Sequence, residues 1–362
     1  MEKSISVIIP NHNKGTALEK CLEAVFASKY ENYEVIVVDD CSTDNSLEIA
    51  ARFPCKVIGL SEHSGAARAR NIGAGNSNGE ILFFIDSDCL LQENTLSAVN
   101  QSMAQHSGLL TVIGGTYTRL PFDRTFFSTF QSIFVNYFET KNNEPDYIAT
   151  HAMAIYASLF KVIGGFEEHF LPILEDVEFS HRLRRSGCRL VMDADILVQH
   201  VFNFSLLKSL RNALKKSMYW IMYSIRNRDL LADSGTASIE LKINGALYII
   251  CLIAASLSLL FWNPVFLVLA ATSLITNLLI NRGLLAAFYK TGGLLFALMA
   301  SLYYATLYPA AIWAGTSAGF VKYVWALKTQ GSLLNVLTAT LRRTYPLEEE
   351  TYPAHILRYQ KM

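Results

Sequence analysis

Ile81-Leu82-Phe83-Phe84-Ile85 is an unbroken apolar run, and Asp86-Ser87-Asp88 closes it. A continuous apolar run bounded by polar residues suits a parallel strand covered on both faces, since a strand washed by water on one side alternates. Carboxylates just past its carboxyl end stand where open α/β sheets hold their ligands. Two carboxylates at that spacing can hold Mg²⁺ or Mn²⁺, hard ions that take oxygen ligands and bridge to phosphates. Asp-x-Asp is common by itself, and a polar loop after a strand has the same pattern.

The surrounding residues supply the context. Ser6 to Ile9 reads as a short buried strand stopped by Pro10, with Asn11-His12-Asn13 beyond it. Thr16 and Glu19 have capping-box spacing and predict a helix running to about Ala27. Val35-Ile36-Val37-Val38 is again β-branched and ends in Asp39-Asp40-Cys41-Ser42-Thr43-Asp44; Asn45 and Glu48 then cap a second helix. Lys56 to Leu60 predicts a third strand, and Gly65 to Gly73 a third helix. Strand and helix alternating at this spacing means βαβ units and a parallel sheet. Two strands therefore deliver aspartates to one edge of one sheet, which makes a site. Thr111-Val112-Ile113 predicts a later strand ending in a tight turn at Gly114-Gly115. Glu175-Asp176 opens a helix with Val177, Phe179 and Leu183 apolar, Glu178 and Arg182 paired at i,i+4, and Gly187 as its stop. An acidic first turn is also what the helix dipole favours in any protein.

These motifs, taken in order, resemble family 2 glycosyltransferases: Val38-Asp39-Asp40-Cys41-Ser42-Thr43-Asp44, then Gly65 with Ala69-Arg70-Asn71-Ile72-Gly73, then Asn78-Gly79-Glu80 running into Ile81–Asp88. Gly164-Gly165-Phe166-Glu167-Glu168 followed by Glu175-Asp176-Val177-Glu178 completes the set. The resemblance covers about residues 4 to 200. It implies an α/β catalytic domain of GT-A fold, Rossmann-like with a mostly parallel sheet, that transfers sugar from a nucleotide-sugar with inversion. By that similarity Asp40 contacts the nucleotide base, Pro10 and Asn13 shape the nucleotide pocket, Arg70 helps hold it, and Asp86 supports the donor side. Asp88 ligates Mg²⁺ or Mn²⁺ on the diphosphate, and Asp176 is the catalytic base. Thr150, His151 and Met153, with Glu175, line the acceptor side.

The chemistry calls for the same parts. A leaving nucleoside diphosphate develops negative charge that a bridging metal offsets, and the attacking hydroxyl must lose a proton to a carboxylate within reach. The eight histidines are scattered, and none has metal-ligand spacing with a cysteine. His12, His63 and His151 fall beside the motifs. Processive members of the family carry Gln-x-x-Arg-Trp after the base region; here the chain reads Ser180-His181-Arg182-Leu183-Arg184-Arg185, which points to transfer of one sugar or a few.

Apolar residues make up 51% of the 362, and the excess lies in the second half. Formal net charge is zero and no basic tract suits nucleic acid. Six cysteines without paired spacing read as reduced thiols, and no cleavable signal peptide is expected before the first strand. Ile243 to Trp262 holds few polar residues and suffices to cross a hydrocarbon core of about 30 Å. Asn263-Pro264 breaks it, Val265 to Ile280 is apolar again, and Gly292 to about Phe320 follows, with Pro309 able to divide it. The expected organisation is a catalytic domain at 1–202, an amphipathic juxtamembrane segment at 203–242, transmembrane helices at 243–321 and a tail at 322–362.

The segment Ser205 to Arg228 puts Leu206, Leu207, Leu210, Leu214, Met218 and Ile221 on one stripe beside Lys208, Arg211, Lys215, Lys216, Arg226 and Arg228. It reads either as an interfacial helix on an anionic membrane or as an amphipathic core helix. Phe122 to Phe138 faces lipid or covers the acceptor pocket. A cytosolic donor places the catalytic domain in the cytoplasm at the inner (cell) membrane of a multi-pass protein. Lys322, Lys328, Arg342, Arg343, Arg358 and Lys361 favour that side for the tail; this requires an even number of crossings, whereas the simplest count is three. The sequence thus reads as a membrane-anchored transferase acting on a lipid or lipid-linked acceptor for the cell envelope. A polyprenyl-phosphate glycosyltransferase is the runner-up, and a catalytically silent nucleotide-sugar-binding scaffold the reading from another class.

Overall fold

β1 (Ile5–Asn11) is buried at every residue and lies between β2 (Tyr33–Asp39) and β4 (Ile81–Phe84), parallel to both. β3 (Lys56–Gly59) adds to β2, also parallel. β5 (Cys89–Leu91), β6 (Thr111–Tyr117), β7 (Met153–Tyr156) and β8 (Arg189–His200) complete one sheet in the order β3-β2-β1-β4-β7-β6-β8-β5. The computed structural model describes residues 2–106, 108–168 and 171–329. Among these it divides into two units: residues up to 205 with 233–236 and 287–293, and residues 206–232, 237–286 and 294–329.

In the first unit the sheet is mixed rather than simply parallel. β7 runs antiparallel to β4 and β6, and β5 runs antiparallel to β8, while β6 and β8 are parallel. Helices α1 (Gly15–Phe26), α2 (Ser46–Ala50), α3 (Ala66–Gly75), α4 (Thr95–Gln105), α5 (Phe126–Glu139), α6 (Ala157–Ile163) and α7 (Glu175–Arg185) connect the strands. The β-branched run of β2 buries Ile36 and Val38 against Ala69 of α3, with Ile58, Leu60 and Ile72 partly buried around them. Burying side chains of this size stabilises by about 1.5–3 kcal/mol each.

Local signals held less well than the pattern. Pro10 does not end β1 but pairs in register with Val38; the β4 pairing stops at Ile8, so the proline's missing N–H falls where that neighbour has ended. α1 starts at Gly15 without the Thr16–Glu19 box, because Asp44 Oδ2 accepts the Gly15 N–H at 2.9 Å. Asp44 Oδ1 likewise accepts the Ser46 N–H of α2, where Asn45 had been expected to cap. Gly114 and Gly115 lie inside β6, not in a turn. A Cβ on Gly114 would stand 2.8 Å from Ile148, and one on Gly115 would collide with the Ile196 carbonyl, where the β6–β8 register shifts. Of the Phe122–Phe138 segment, Phe126 onward lies in α5 with Phe130, Phe134 and Phe138 buried, while Phe122 is exposed. All six cysteines are free thiols.

The second unit is helical: α8 (Leu206–Asn227), α9 (Ile239–Phe261), α10 (Pro264–Ile280), α11 (Arg282–Ala305) and α12 (Leu307–Thr329). α11 is kinked at Gly293, and its residues 287–293 group with the first unit. Asn263 caps α10 by accepting the Val265 N–H at 3.0 Å, with Pro264 in the first turn. Pro309 does not divide the last stretch; the break comes at Thr306, which leaves the proline in the first turn of α12, where no N–H is needed. Asn244, Asn277, Asn281 and Tyr304 close a buried ring of hydrogen bonds. Within it each amide finds the partner that apolar surroundings withhold. α8 packs on α12 where Gly315 and Gly319 admit the Leu214 and Met218 carbonyls, while Leu207, Lys208, Arg211, Lys215 and Lys216 remain exposed. Ile239–Phe261 and Arg282–Leu327 are long and apolar enough to cross a membrane. α12 takes in Lys322 of the expected tail; Arg342, Arg343, Arg358 and Lys361 lie outside the described residues.

Gly115→Val is expected to destabilise the first unit by about 1–3 kcal/mol through overpacking against Ile196. Thermal unfolding of the detergent-solubilised chain measures this, and an unchanged midpoint would contradict the close β6–β8 approach.

Candidate active site

Asp86 and Asp88 follow β4 in the turn to β5, and each is held by a different cation. Arg70 of α3 donates from one guanidinium nitrogen to Asp86 Oδ1 at 2.7 Å and from the other to Glu175 Oε1 at 2.6 Å. The guanidinium is buried, with 4% of its side chain exposed. Burial opposes its charge and that of Asp86, but the pairing wins: the Arg70 pKa is raised, and Arg70, Lys14 and His151 hold Asp86 down at about 2. Asp86 is therefore ionised at any working pH. One arginine thus ties the β4 turn to the first turn of α7.

The neighbouring residues of both motifs meet as well. Asn71 Oδ1 accepts the Phe166 N–H and its Nδ2 donates to the Phe166 carbonyl, each at 2.8 Å. Gly164 and Gly165 take positive φ values of 90° and 71°, and a Cβ on Gly165 would stand 2.6 Å from Asn71. Phe166 is buried against Phe84, Phe160 and Phe179. Arg182 donates to the Ile163 and Gly165 carbonyls from the far side. Leu174, at φ 77°, then turns the chain into α7. Such a conformation costs a non-glycine residue about 1–2 kcal/mol. Asp176 is half-buried in that first turn, its Oδ1 accepting the Val177 N–H at 2.9 Å.

Asp88 faces Lys14 through Oδ2, and its Oδ1 lies 3.5 Å from His200 Nε2. Asp88 Oδ1 and His200 Nδ1 are buried without a hydrogen-bond partner among the described residues. Burial lowers the His200 pKa to about 4 against the pull of Asp88, so the imidazole is neutral and able to ligate. Cys89 is close to both, but burial, with Asp86 and Asp88 adding, raises its thiol well above the ordinary value, which leaves Asp88 and His200 as the ready donors. One carboxylate and one imidazole fit Mn²⁺, and the oxygen alone fits Mg²⁺.

His200 was not anticipated from sequence. β8 ends on it opposite Cys89, as β2 ends on Asp39 and β4 runs out two residues before Asp86, so a third strand leading to a donor was the available signal. Tyr117, Phe202 and Glu139 were also missed. Tyr117 stacks on His151 at 4.0 Å and meets His200 edge-on at 4.9 Å; Phe202 stacks on His200 at 3.9 Å. Glu139 Oε2 accepts from Thr116 Oγ1 at 2.7 Å and lies 3.3 Å from His151 Nε2. Thr150 and His151 sit in a short 3-10 turn ahead of β7 and are buried. Glu175, placed with the acceptor by sequence, pairs with Arg70.

Asp40 stands apart at the end of β2, beside Pro10 and Asn13. Its carboxylate accepts the Ser64 and Gly65 N–H groups at 2.7 and 2.8 Å. Asn13, at φ 52°, accepts the Thr43 N–H at 2.7 Å and shapes the turn after β1. Asp39, its neighbour, is consumed by Asn11 and Ser42.

Residues 6–162 match the model of glycosyl transferase family 2. They belong to that family. The transferase domain has the GT-A fold: a mannosyltransferase of Pyrobaculum calidifontis, PcManGT, solved with GDP-mannose and Mn²⁺, superposes with a TM-score of 0.55 at 17% identity, covering 90% of this chain and 88% of that one. GlyG of Streptococcus pneumoniae is 36% identical over 132 residues, 35% of this chain and 44% of GlyG. AglE of Haloferax volcanii is 28% identical over 238 residues, 63% of this chain and 78% of AglE. The chain thus spans less than half of GlyG.

Removing the bridging cation tests the construction of the transferase domain. Arg70→Met is expected to cost about 3 kcal/mol, the low end for a broken buried pair because Asp86 is 31% exposed. Unfolding at the wild-type temperature would show that water already solvates both carboxylates.

Proposed function

We propose that the chain is a membrane-anchored, metal-dependent, inverting glycosyltransferase that moves a sugar from a UDP- or GDP-sugar to a lipid or lipid-linked acceptor of the cell envelope. The observation that supports this reading is the buried Arg70, which joins Asp86 after β4 to Glu175 at the start of α7, the turn that carries Asp176. Asp88 and His200 would hold Mn²⁺ or Mg²⁺, which when bound offsets charge on the leaving diphosphate. Asp40, Pro10 and Asn13 form the pocket for the base, and Arg70 keeps Asp86 ionised beside the donor. Asp176 takes the proton of the attacking hydroxyl, whose carrier approaches past Thr150 and His151. The GDP-mannose and Mn²⁺ held by PcManGT are consistent with the donor class and metal.

Membrane attachment rests on the second unit. Leu259, Trp262, Val265, Leu295, Leu302 and Trp325 are each more than 60% exposed, and apolar surface on that scale marks a membrane or partner face. The exposed Lys208, Arg211, Lys215 and Lys216 of α8 suit an anionic cytoplasmic leaflet. A cytosolic donor places the transferase domain in the cytoplasm. Intact Asp40, Asp86, Asp88 and Asp176 weigh against a silent scaffold.

Nucleotide release by the detergent-purified chain, with Mn²⁺, a panel of UDP- and GDP-sugars and membrane lipid extract, tests the activity. Asp88→Asn and Asp176→Asn are each expected to lower transfer by at least about 10²-fold, while only Asp88→Asn weakens metal-dependent nucleotide binding. Normal turnover in either variant would remove that residue from its role. The chain is further expected to stay in the membrane fraction through alkaline carbonate extraction; its release would contradict the spanning helices.

A further inference from the structure

A second set of ligating side chains stands at the ends of β1 and β2, away from Asp88. His12, Asp40 and His63 each bring a donor atom to within 4.8 Å of the other two. The imidazoles meet in a tilted arrangement, with centroids 4.2 Å apart and planes 34° from parallel. His12 Nδ1 lies 2.7 Å from the Asp40 backbone carbonyl, which only accepts, so the proton is on Nδ1 and Nε2 carries a lone pair. Asn13 Nδ2 donates to that Nε2 at 3.1 Å. The orientation of the Asn13 amide is fixed because its Oδ1 takes the Thr43 N–H. His63 Nδ1 lies 2.9 Å from Asp40 Oδ2, the arrangement in which a carboxylate orients an imidazole for a metal or joins it as co-ligand. Asp40 is itself fixed by two backbone N–H groups, and the His63 side chain is 60% exposed, so an ion has a way in.

We propose that His12, Asp40 and His63 bind a borderline transition-metal dication, Zn²⁺ being the representative, and that this ion competes with the base of the donor nucleotide. Imidazole nitrogens favour Zn²⁺, Ni²⁺ and Cu²⁺, whereas Mg²⁺ takes oxygen. Two imidazoles and a carboxylate supply three ligands of a tetrahedral zinc centre and leave the fourth to water. Ligation through His12 exchanges one neutral hydrogen bond from Asn13 for a metal bond. The competition rests on the role of Asp40 given under Proposed function; the binding of metal does not. A rise in free zinc would then slow the enzyme by closing the base pocket.

The test is equilibrium dialysis of the full-length chain in detergent against ZnCl₂ with Mg²⁺ in excess. The wild type is expected to take up one tight zinc. His63→Ala and His12→Ala should each weaken it by at least about tenfold, the loss that follows when even a ligand's support is removed. His200→Ala, which alters the other cluster, should leave it unchanged. Wild-type zinc affinity in both His63→Ala and His12→Ala, or a loss confined to His200→Ala, overturns the site. Added UDP or GDP should weaken zinc binding in the wild type. Zinc held through His63 but indifferent to both nucleotides overturns the competition, and with it the base contact of Asp40, while the metal site stands.

Discussion

The pairing of one buried guanidinium with two carboxylates is the interaction around which the first unit is organised. Arg70 comes from α3, Asp86 from the turn after β4 and Glu175 from the first turn of α7, so three segments distant in sequence are fixed by a single side chain. A lysine could not do this, because one ammonium lacks the rigid fork that meets two carboxylates in separate directions. The arrangement spares Asp86 and Glu175 the cost of unpaired burial and keeps Asp86 ionised. Asn71, one residue on, fastens the Gly-Gly-Phe loop with a paired hydrogen bond to Phe166. Two adjacent residues of one helix therefore set where the last acidic motif begins.

The mixed sheet performs the complementary task. Its parallel part ends β1, β2 and β4 at a common edge, and the antiparallel return of β5 against β8 brings His200 opposite Cys89, next to Asp88. Asp40, Asp88 and His200, the groups proposed to hold the base and the metal, thus lie beside strand ends whose backbone is held by the sheet, while Asp176 comes from a helix start held by Arg70, Arg182 and the Phe166 cluster. Rigid supports of this kind are what a site needs to keep its groups in place before substrate arrives.

Much of this was legible in the sequence. Apolar runs marked β1, β2 and β4, the last two with carboxylates at or just past their ends, because burial on both faces leaves a continuous pattern. The carboxyl-edge location of Asp40, Asp86 and Asp88 followed from the βαβ order. What failed was local chemistry decided by distant partners. The Thr16–Glu19 box lost to Asp44, and Gly114-Gly115 served the approach of β8 rather than a turn. His200, Tyr117 and Glu139 were missed because their pairing depends on antiparallel register and on α5, neither of which leaves a period in the sequence. Glu175 looked like an ordinary acidic first turn until its partner, 105 residues earlier, was in view. In the helical unit the break at Asn263 was readable, but the ring of Asn244, Asn277, Asn281 and Tyr304 was not.

In the proposed enzyme Asp88 and His200 would hold a divalent cation that binds the diphosphate of a donor nucleotide. Pulsed electron paramagnetic resonance of Mn²⁺ bound to the full-length chain, with UDP or GDP added, reads its ligands directly. Nitrogen coupling from one imidazole, lost in His200→Ala, is expected together with phosphorus coupling from one of the two nucleotides. Phosphorus coupling without nitrogen would remove His200 from the site, and the absence of both would contradict the placement of metal and donor at this edge.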